Sequence, residues 1–296
     1  MPNLAIRVVA LAVIAASAAT AQDTVFTWSK TLPAGGRLAI RNYGGLIDVR
    51  PGSSDRIEVR VTTRAEVRAQ AKKLTFDVRE HAADDIEICT VFSGLNVCDG
   101  EELMGDFRDG RIKVRYTVDL PKGMRFRATT ASGDIIVMQS VAHLDANTGS
   151  GDIVVRESES GVTATTGSGD VTVAAANGTV RASTGNGDVL VMTSIGPVDA
   201  SSGNGSVDVQ MGFLPSMPDN ASMSISSGNG KVKVTLPGDF NGQLDASSGN
   251  GDVKSEFNVR GSSGRNDSRL RGAIGTGNGP LVRIHSGNGS LTIRKG

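Results

Sequence analysis

From Phe126 onward the apolar residues fall into four columns placed around a recurring glycine. Two positions after that glycine stand Ile135, Ile153, Val171, Val189, Val207, Val232, Val253, Leu281 and Leu291. Four positions after it stand Val137, Val155, Val173, Val191, Val209, Val234 and Ile293. Seven before it are Phe126, Leu144, Val162, Val180, Val198, Met223, Leu244 and Val282. Five before it are Ala128, Ala146, Ala164, Ala182, Ala200, Ile225, Ala246 and Ile284. Alternation with a period of two is the pattern of a strand with one buried face. Each unit therefore predicts two short strands, one on each side of the glycine.

The glycine itself sets the unit length. Gly133, Gly151, Gly169, Gly187 and Gly205 follow one another at intervals of 18 residues, and looser copies close at Gly230, Gly251, Gly279 and Gly289. A fixed period of this length marks a repeat architecture whose units bury their apolar faces only against their neighbours. The expected fold is all-β: a single-stranded β-solenoid of 18-residue rungs, with successive coils stacked about 4.8 Å apart. Val and Ile would then file against a row of Ala, each Val or Ile contributing roughly 1.5–3 kcal/mol on burial.

Polar columns fit the same coil. The position three before the glycine is always Thr or Ser (Thr130, Thr148, Thr166, Thr184, Ser202, Ser227, Ser248, Thr276, Ser286). By parity it points inward at the corner, where a hydroxyl can satisfy turning backbone. The position just before the glycine is Ser132, Ser150 and Ser168, then Asn186, Asn204, Asn229, Asn250, Asn278 and Asn288, a ladder suited to a solenoid corner.

With Gly45 as origin, Leu38, Ile40, Ile47 and Val49 fall on the apolar columns too. Residues 57–61, 74–78 and 112–116 alternate at irregular spacing and predict wider rungs or a sheet-like β cap over the open N-terminal edge. Arg294 and Lys295 are expected to blunt the last edge at the far end. Three longer intervals predict loops at residues 213–218, 236–240 and 260–272, the last basic, with Arg260, Arg265, Arg269 and Arg271. Loops inserted in repeat proteins are where binding tends to reside.

The first 21 residues read as a secretory signal peptide. Arg7 forms the n-region, Val8 to Ala16 the apolar h-region, and Ala19-Thr20-Ala21 the cleavage site before Gln22. The expected organisation is a leader at 1–21, a cap with the first rungs at 22–127, and solenoid repeats at 128–296. Residues 30–296 then make one continuous domain. The leader predicts a periplasmic or extracellular protein without a membrane span. Lys and Arg balance Asp and Glu at 31 each, which gives no field to draw nucleic acid or an anionic membrane. Cys89 and Cys98 bracket a Ser93-Gly94 turn signal and, in an oxidising compartment, predict a disulfide stapling a hairpin.

Three kinds of segment carry a resemblance. They are Leu38-Ala39-Ile40-Arg41-Asn42-Tyr43-Gly44-Gly45-Leu46-Ile47-Asp48-Val49, then Tyr116-Thr117-Val118-Asp119-Leu120-Pro121-Lys122-Gly123, and the serial Ser-Gly-Asp-Ile and Thr-Gly-Asn-Gly-Asp-Val phrases. Together they resemble the "putative adhesin" family of bacterial β-strand-repeat proteins, a domain of unknown function. The resemblance spans nearly all of the chain after the leader. It implies a β-helix-like solenoid at the cell envelope and brings no catalytic residues.

Candidate chemistry is sparse. Asp134, Asp152, Asp170 and Asp188 form a column that calcium could bridge, since carboxylates at rung spacing repel by about 1 kcal/mol per adjacent pair in water. The period argues against it: the Gly-rich calcium-binding β-roll repeats recur about every nine residues. Asp accepting from turn N–H groups explains the column without a metal. Asp84-Asp85 and Arg111-Ile112-Lys113 echo short motifs of pectin-degrading enzymes, but no Gly-His-Gly accompanies them. His81, His143 and His285 are scattered, with no nucleophile context. Arg127 with Asp145 and Arg181 with Asp199 predict exposed rung-to-rung pairs. Ile136, Val154 and Leu190 predict an outward apolar stripe, either covered by the cap or open to a partner. The reading is a non-catalytic, exported envelope or cell-surface interaction protein with a protein or glycan partner and no cofactor. The alternatives are a carbohydrate-active β-helix enzyme and a calcium-dependent adhesin.

Overall fold

A computed structural model describes residues 25–52, 55–65, 73–99, 112–193, 196–212, 221–261 and 268–296. The leader at 1–21, the loop at 213–218, Arg111 and Arg265 lie outside the described residues. The chain divides between Ser150 and Gly151 into two compact units.

The first unit contains β1 (Val25–Thr31), β2 (Arg37–Gly44), β3 (Ile47–Pro51), β4 (Arg56–Ala65), β5 (Leu74–Ala82), β6 (Asp85–Phe92), β7 (Leu95–Asn96), β8 (Ile112–Leu120), β9 (Arg125–Ser132), β10 (Ile135–Val137) and β11 (Val141–Ser150). One sheet runs β1-β4-β8-β3-β10 and the other β5-β6-β2-β9-β11. The rung pairings β6–β2, β2–β9, β9–β11, β8–β3 and β3–β10 are parallel, whereas β1–β4, β4–β8 and β5–β6 are antiparallel.

The predicted columns are met residue for residue. Leu38 lies beside Phe126, Ile40 beside Ala128, Ile47 beside Ile135 and Val49 beside Val137, and all eight are buried. A further rung, absent from the glycine pattern, is built from β6 and β8: Ile86 and Ile88 continue the Leu38 and Ile40 columns, and Tyr116 and Val118 those of Ile47 and Val49. It stacks before β2/β3, so the spatial order is β6/β8, β2/β3, β9/β10. At its corner, Asn42 Nδ2 donates to the Val114 carbonyl (2.9 Å), Thr90 Oγ1 donates to Asn42 Oδ1 (3.1 Å) and lies 2.8 Å from the Tyr116 hydroxyl. These buried groups satisfy one another, as a dry corner requires. The cap is the antiparallel set β1, β4 and β5, with Phe26 4.8 Å from Phe76 and Lys30 paired to Glu80 at 2.9 Å.

The second unit contains β12 (Ile153–Val155), β13 (Ser158–Ser168), β14 (Val171–Val173), β15 (Val180–Asn186), β16 (Val189–Thr193), β17 (Val198–Asn204), β18 (Val207–Met211), β19 (Ser222–Asn229), β20 (Val232–Leu236), β21 (Gly242–Asn250), β22 (Val253–Ser255), β23 (Arg269–Ile274), β24 (Leu281–Asn288) and β25 (Leu291–Lys295). Its sheets run β12-β14-β16-β18-β20-β25-β22 and β13-β15-β17-β19-β24-β21-β23. Ile153, Val171, Val189, Val207, Val232 and Leu291 are filed in register along the first, and Ala164, Ala182, Ala200, Ile225, Ile284 and Ala246 along the second. The corner must be glycine. At Gly187, φ is +145°, and a Cβ there would overlap the Gly169 carbonyl oxygen of the rung below.

Four expectations need correction here. Rungs do not stack strictly in chain order, because the last one, β24/β25, lies between β19/β20 and β21/β22. Antiparallel β23 carries the chain round the outside of β21 and back, which frees that slot for the final rung. Arg294 and Lys295 consequently sit on an interior strand; β22 and β23 are the edges, and Phe240 and Phe257 pack 6.4 Å apart near Lys295. Gly279 is not a corner copy, since Leu281 opens β24 opposite Ser222 and Gln243 and Thr276 donates to Asn241. The basic segment is also only partly loop, because Arg269 to Ile274 form β23.

Candidate functional site

The most ordered polar features are three ladders along the corner edge of the second unit. In the hydroxyl column each side chain donates to the glycine carbonyl of the adjoining rung: Thr166 to Gly151 (2.9 Å), Thr184 to Gly169 (2.8 Å), Ser202 to Gly187 (2.7 Å), Ser227 to Gly205 (2.7 Å), Ser286 to Gly230 (2.9 Å) and Ser248 to Gly289 (2.8 Å). In the first unit Thr148 does the same to Gly133 at 2.9 Å. The asparagine column is continuous from Asn186 through Asn204, Asn229 and Asn288 to Asn250, each Oδ1 accepting from the Nδ2 of the next asparagine at 2.7–2.8 Å.

The aspartate column accepts backbone N–H groups, but from the neighbouring rung, 18 residues on. Asp152 Oδ1 accepts the backbone N–H of Asp170 (2.8 Å), Asp170 that of Asp188 (2.7 Å), and Asp188 that of Ser206 (2.7 Å). One oxygen of each of these carboxylates is thereby committed to the neighbouring rung. Asp134, the fourth candidate, is exposed at the matching corner of the first unit.

Around the disulfide, Cys89 on β6 is joined to Cys98 in the 3-10 turn Val97–Asp99, with Cα atoms 5.9 Å apart. The bond closes the β6–β7 hairpin, whose turn residues Ser93 (φ 52°) and Gly94 (φ 87°) both take the left-handed region that two-residue hairpin turns favour. Beside it, Glu87 accepts from Arg41 Nε at 2.7 Å and lies 3.1 Å from His81 Nε2. Burial alone pushes the Glu87 carboxyl up, but the bonds from Arg41 and His81 outweigh it and hold the group below the ordinary carboxylate range. The Tyr116 hydroxyl is driven well above its usual value by complete burial, against the opposing hydrogen bond with Thr90. Glu87, Cys89 and Cys98 gather their ligand atoms within 4.8 Å, yet the joined sulfurs offer no thiolate for a metal.

The enzyme-like strings disperse. Asp85 is tied to Arg37 by two hydrogen bonds (2.8 and 2.7 Å), while Ile112 is buried in β8 and Lys113 points outward. His81 stands by Glu87, His143 opens the exposed side of β11, and His285 lies 3.2 Å from Ser247 on an outer face. Of the predicted pairs, Arg127 meets Asp145 at 3.2 Å, and Arg181 stands in register with Asp199. The apolar stripe is broken: Thr172 separates Val154 from Leu190, and Asp208 follows. In the first unit Ile136 is flanked by Asp48, and the cap extends the sheets edgewise without covering it. The exposed Arg283 on β24 and Arg269 and Arg271 on β23 flank β21, a cluster hidden in the sequence because β24 is not consecutive with β21 in the chain.

Stacked parallel rungs, a glycine corner and side-chain ladders define a β-solenoid. The chain belongs to the Toastrack DUF4097 family, whose model matches residues 37–294. Crystal structures similar to it include a putative adhesin from Bacteroides fragilis NCTC 9343, at 11% identity and TM-score 0.44 over 92% of this chain and 98% of that one. Another is a putative adhesin from Parabacteroides distasonis ATCC 8503, at 10% identity and TM-score 0.38, with the same shares covered. A putative cell adhesion protein from Clostridium sporogenes ATCC 15579 is 13% identical at TM-score 0.28, over 92% of this chain and 100% of that chain. No curated protein matches the chain in sequence. Among the described residues, no helix is long and apolar enough to cross a membrane.

Proposed function

We propose that the protein is an exported, non-catalytic interaction scaffold of the cell envelope or surface. The observation that carries this reading is the commitment of its chemically able side chains to holding rungs together. The Asp column caps backbone N–H groups, the Asn column hydrogen-bonds to itself, and the inward hydroxyls of Thr148, Thr166, Thr184, Ser202, Ser227, Ser248 and Ser286 are spent on glycine carbonyls. What remains outward is an array of small polar and charged residues at strand spacing, a surface for recognition. The leader-like segment and the Cys89–Cys98 bond support an oxidising compartment. The Asp column then needs no calcium.

The test is expression of the full chain with fractionation and N-terminal sequencing, followed by binding of the purified mature chain to envelope extracts and whole cells. A polypeptide starting at Gln22 outside the cytoplasm, saturable binding, and no release of sugars from polysaccharides are expected. A cytoplasmic chain with residues 1–21 intact, or turnover of a glycan, would overturn it.

A further inference from the structure

We infer that the outer face of β24, β21 and β23 is a binding site for a linear acidic polysaccharide. This deepens the scaffold reading and rests on it.

The register assembles two rows across these three strands. Arg283, Asp245 and Arg271 form one, and His285, Ser247 and Arg269 the other, two residues further along each strand. Arg283, Arg271, Arg269 and His285 are exposed. Their only carboxylate neighbour in these rows, Asp245, is shared: Arg271 Nε stands 3.8 Å and Arg269 NH2 3.9 Å from its oxygens, both beyond hydrogen-bond reach. Among the described residues, Arg283 has no ion pair. Three guanidinium groups thus face one carboxylate, a surplus of two positive charges with the imidazole neutral. Farther along the same face, Arg181 is set against Asp199.

The surroundings suit an extended polymer of sugars. Thr165, Ser183, Ser201 and Ser226 lead in register into His285 and Ser247, so a track of hydroxyls crosses the strands and ends in the arginine cluster. Sugar hydroxyls find partners along the track. Carboxylates or sulfates find planar, bidentate donors at its end, where Arg283 and Arg271, two strands apart, are separated by about 10 Å at the backbone. The two rows hold no Phe, Tyr or Trp ring on which a nucleic acid base could stack, and no apolar side chain to enter a lipid surface.

The experiment uses the full mature chain on immobilised polygalacturonate at low salt, with dextran, single-stranded DNA and phosphatidylserine vesicles in parallel. Retention on polygalacturonate with elution by salt, and none on dextran, is expected. Arg271→Ser with Arg283→Ser should weaken binding at least about tenfold, a change on the order of 1.4 kcal/mol, while Arg181→Ser leaves it unchanged. Asp245→Asn removes the competing carboxylate and should tighten binding, an outcome that misfolding cannot mimic. The site is refuted if the wild-type chain passes unretained, if the double variant binds like wild type, if Asp245→Asn fails to tighten, or if DNA or vesicles are held equally well. Those failures alongside normal export and cell binding would remove this site alone and leave the scaffold reading standing.

Discussion

Replacing Thr184 with Val isolates the hydroxyl ladder from everything else in the rung. The two side chains have nearly the same shape, and Thr184 is only 5% exposed, so packing is kept while one donor is lost. The Gly169 carbonyl, 2.8 Å from Thr184 Oγ1, then loses that bond at a half-buried corner. A lost intramolecular hydrogen bond costs about 0.5–1.5 kcal/mol. A protein of this size loses roughly 2–4 °C of midpoint per kcal/mol, so the melting temperature should fall by about 1–6 °C. Thr165→Val is the control: it lies on the adjoining strand in register with Ser183, on the exposed side of the same sheet, and should stay within about 0.5 kcal/mol of wild type. Paired urea and thermal unfolding curves measure both. If Thr184→Val melts like wild type, or no lower than Thr165→Val, inward hydroxyls do not hold the rungs.

Four further outcomes are expected. Gly187→Ala should destabilise more than any exposed substitution, because φ is +145° and the new Cβ meets a backbone oxygen; chemical denaturation reads the loss. Removing the Cys89–Cys98 bond, by Cys98→Ser with Cys89→Ser, should cost roughly 2–3 kcal/mol for a loop this short, seen as a lower melting midpoint that reductant no longer shifts. Glu87 has a folded-state pKa held below its ordinary value, so its stabilisation is full above about pH 5 and lost as pH falls through the folded value. The stability gap between wild type and Glu87→Gln should accordingly shrink as pH falls below about 5, as denaturant titrations at each pH will show. Adding a chelator, or millimolar calcium, should leave the midpoint unmoved, because a ligand of the folded state would have to raise it.

The alternation of Val and Ile with polar residues made the individual strands legible in the sequence, and the glycine interval made their register so. Leu38 and Ile40 could be aligned with Phe126 and Ala128 from pattern alone, across more than 80 residues, and they are neighbours. Rung order was not legible. Asn229, Asn250 and Asn288 end nearly identical phrases, so each can hydrogen-bond to either of the others, and periodicity cannot rank the stacking orders. The β6/β8 rung escaped notice because it has no glycine phrase; Thr90 and Tyr116 meet across an insertion that breaks the period. The aspartate column was readable as a set of hydrogen-bond acceptors, but not its partners, which are the N–H groups of the next rung rather than of the same turn. The arginine cluster was not, because Arg283 and Arg271 flank Asp245 only once the last rung takes its slot.

The account rests on coils meeting like with like, with the chain's final turn wedged beneath the one made before it. Methyl–methyl nuclear Overhauser effects on an Ile-, Ala- and Val-labelled sample probe that directly. Ile284 should give cross-peaks to both Ile225 and Ala246, and Ile293 one to Val234. A direct Ile225–Ala246 cross-peak, with Ile284 touching Ala246 alone, would mean simple sequential winding and would contradict it.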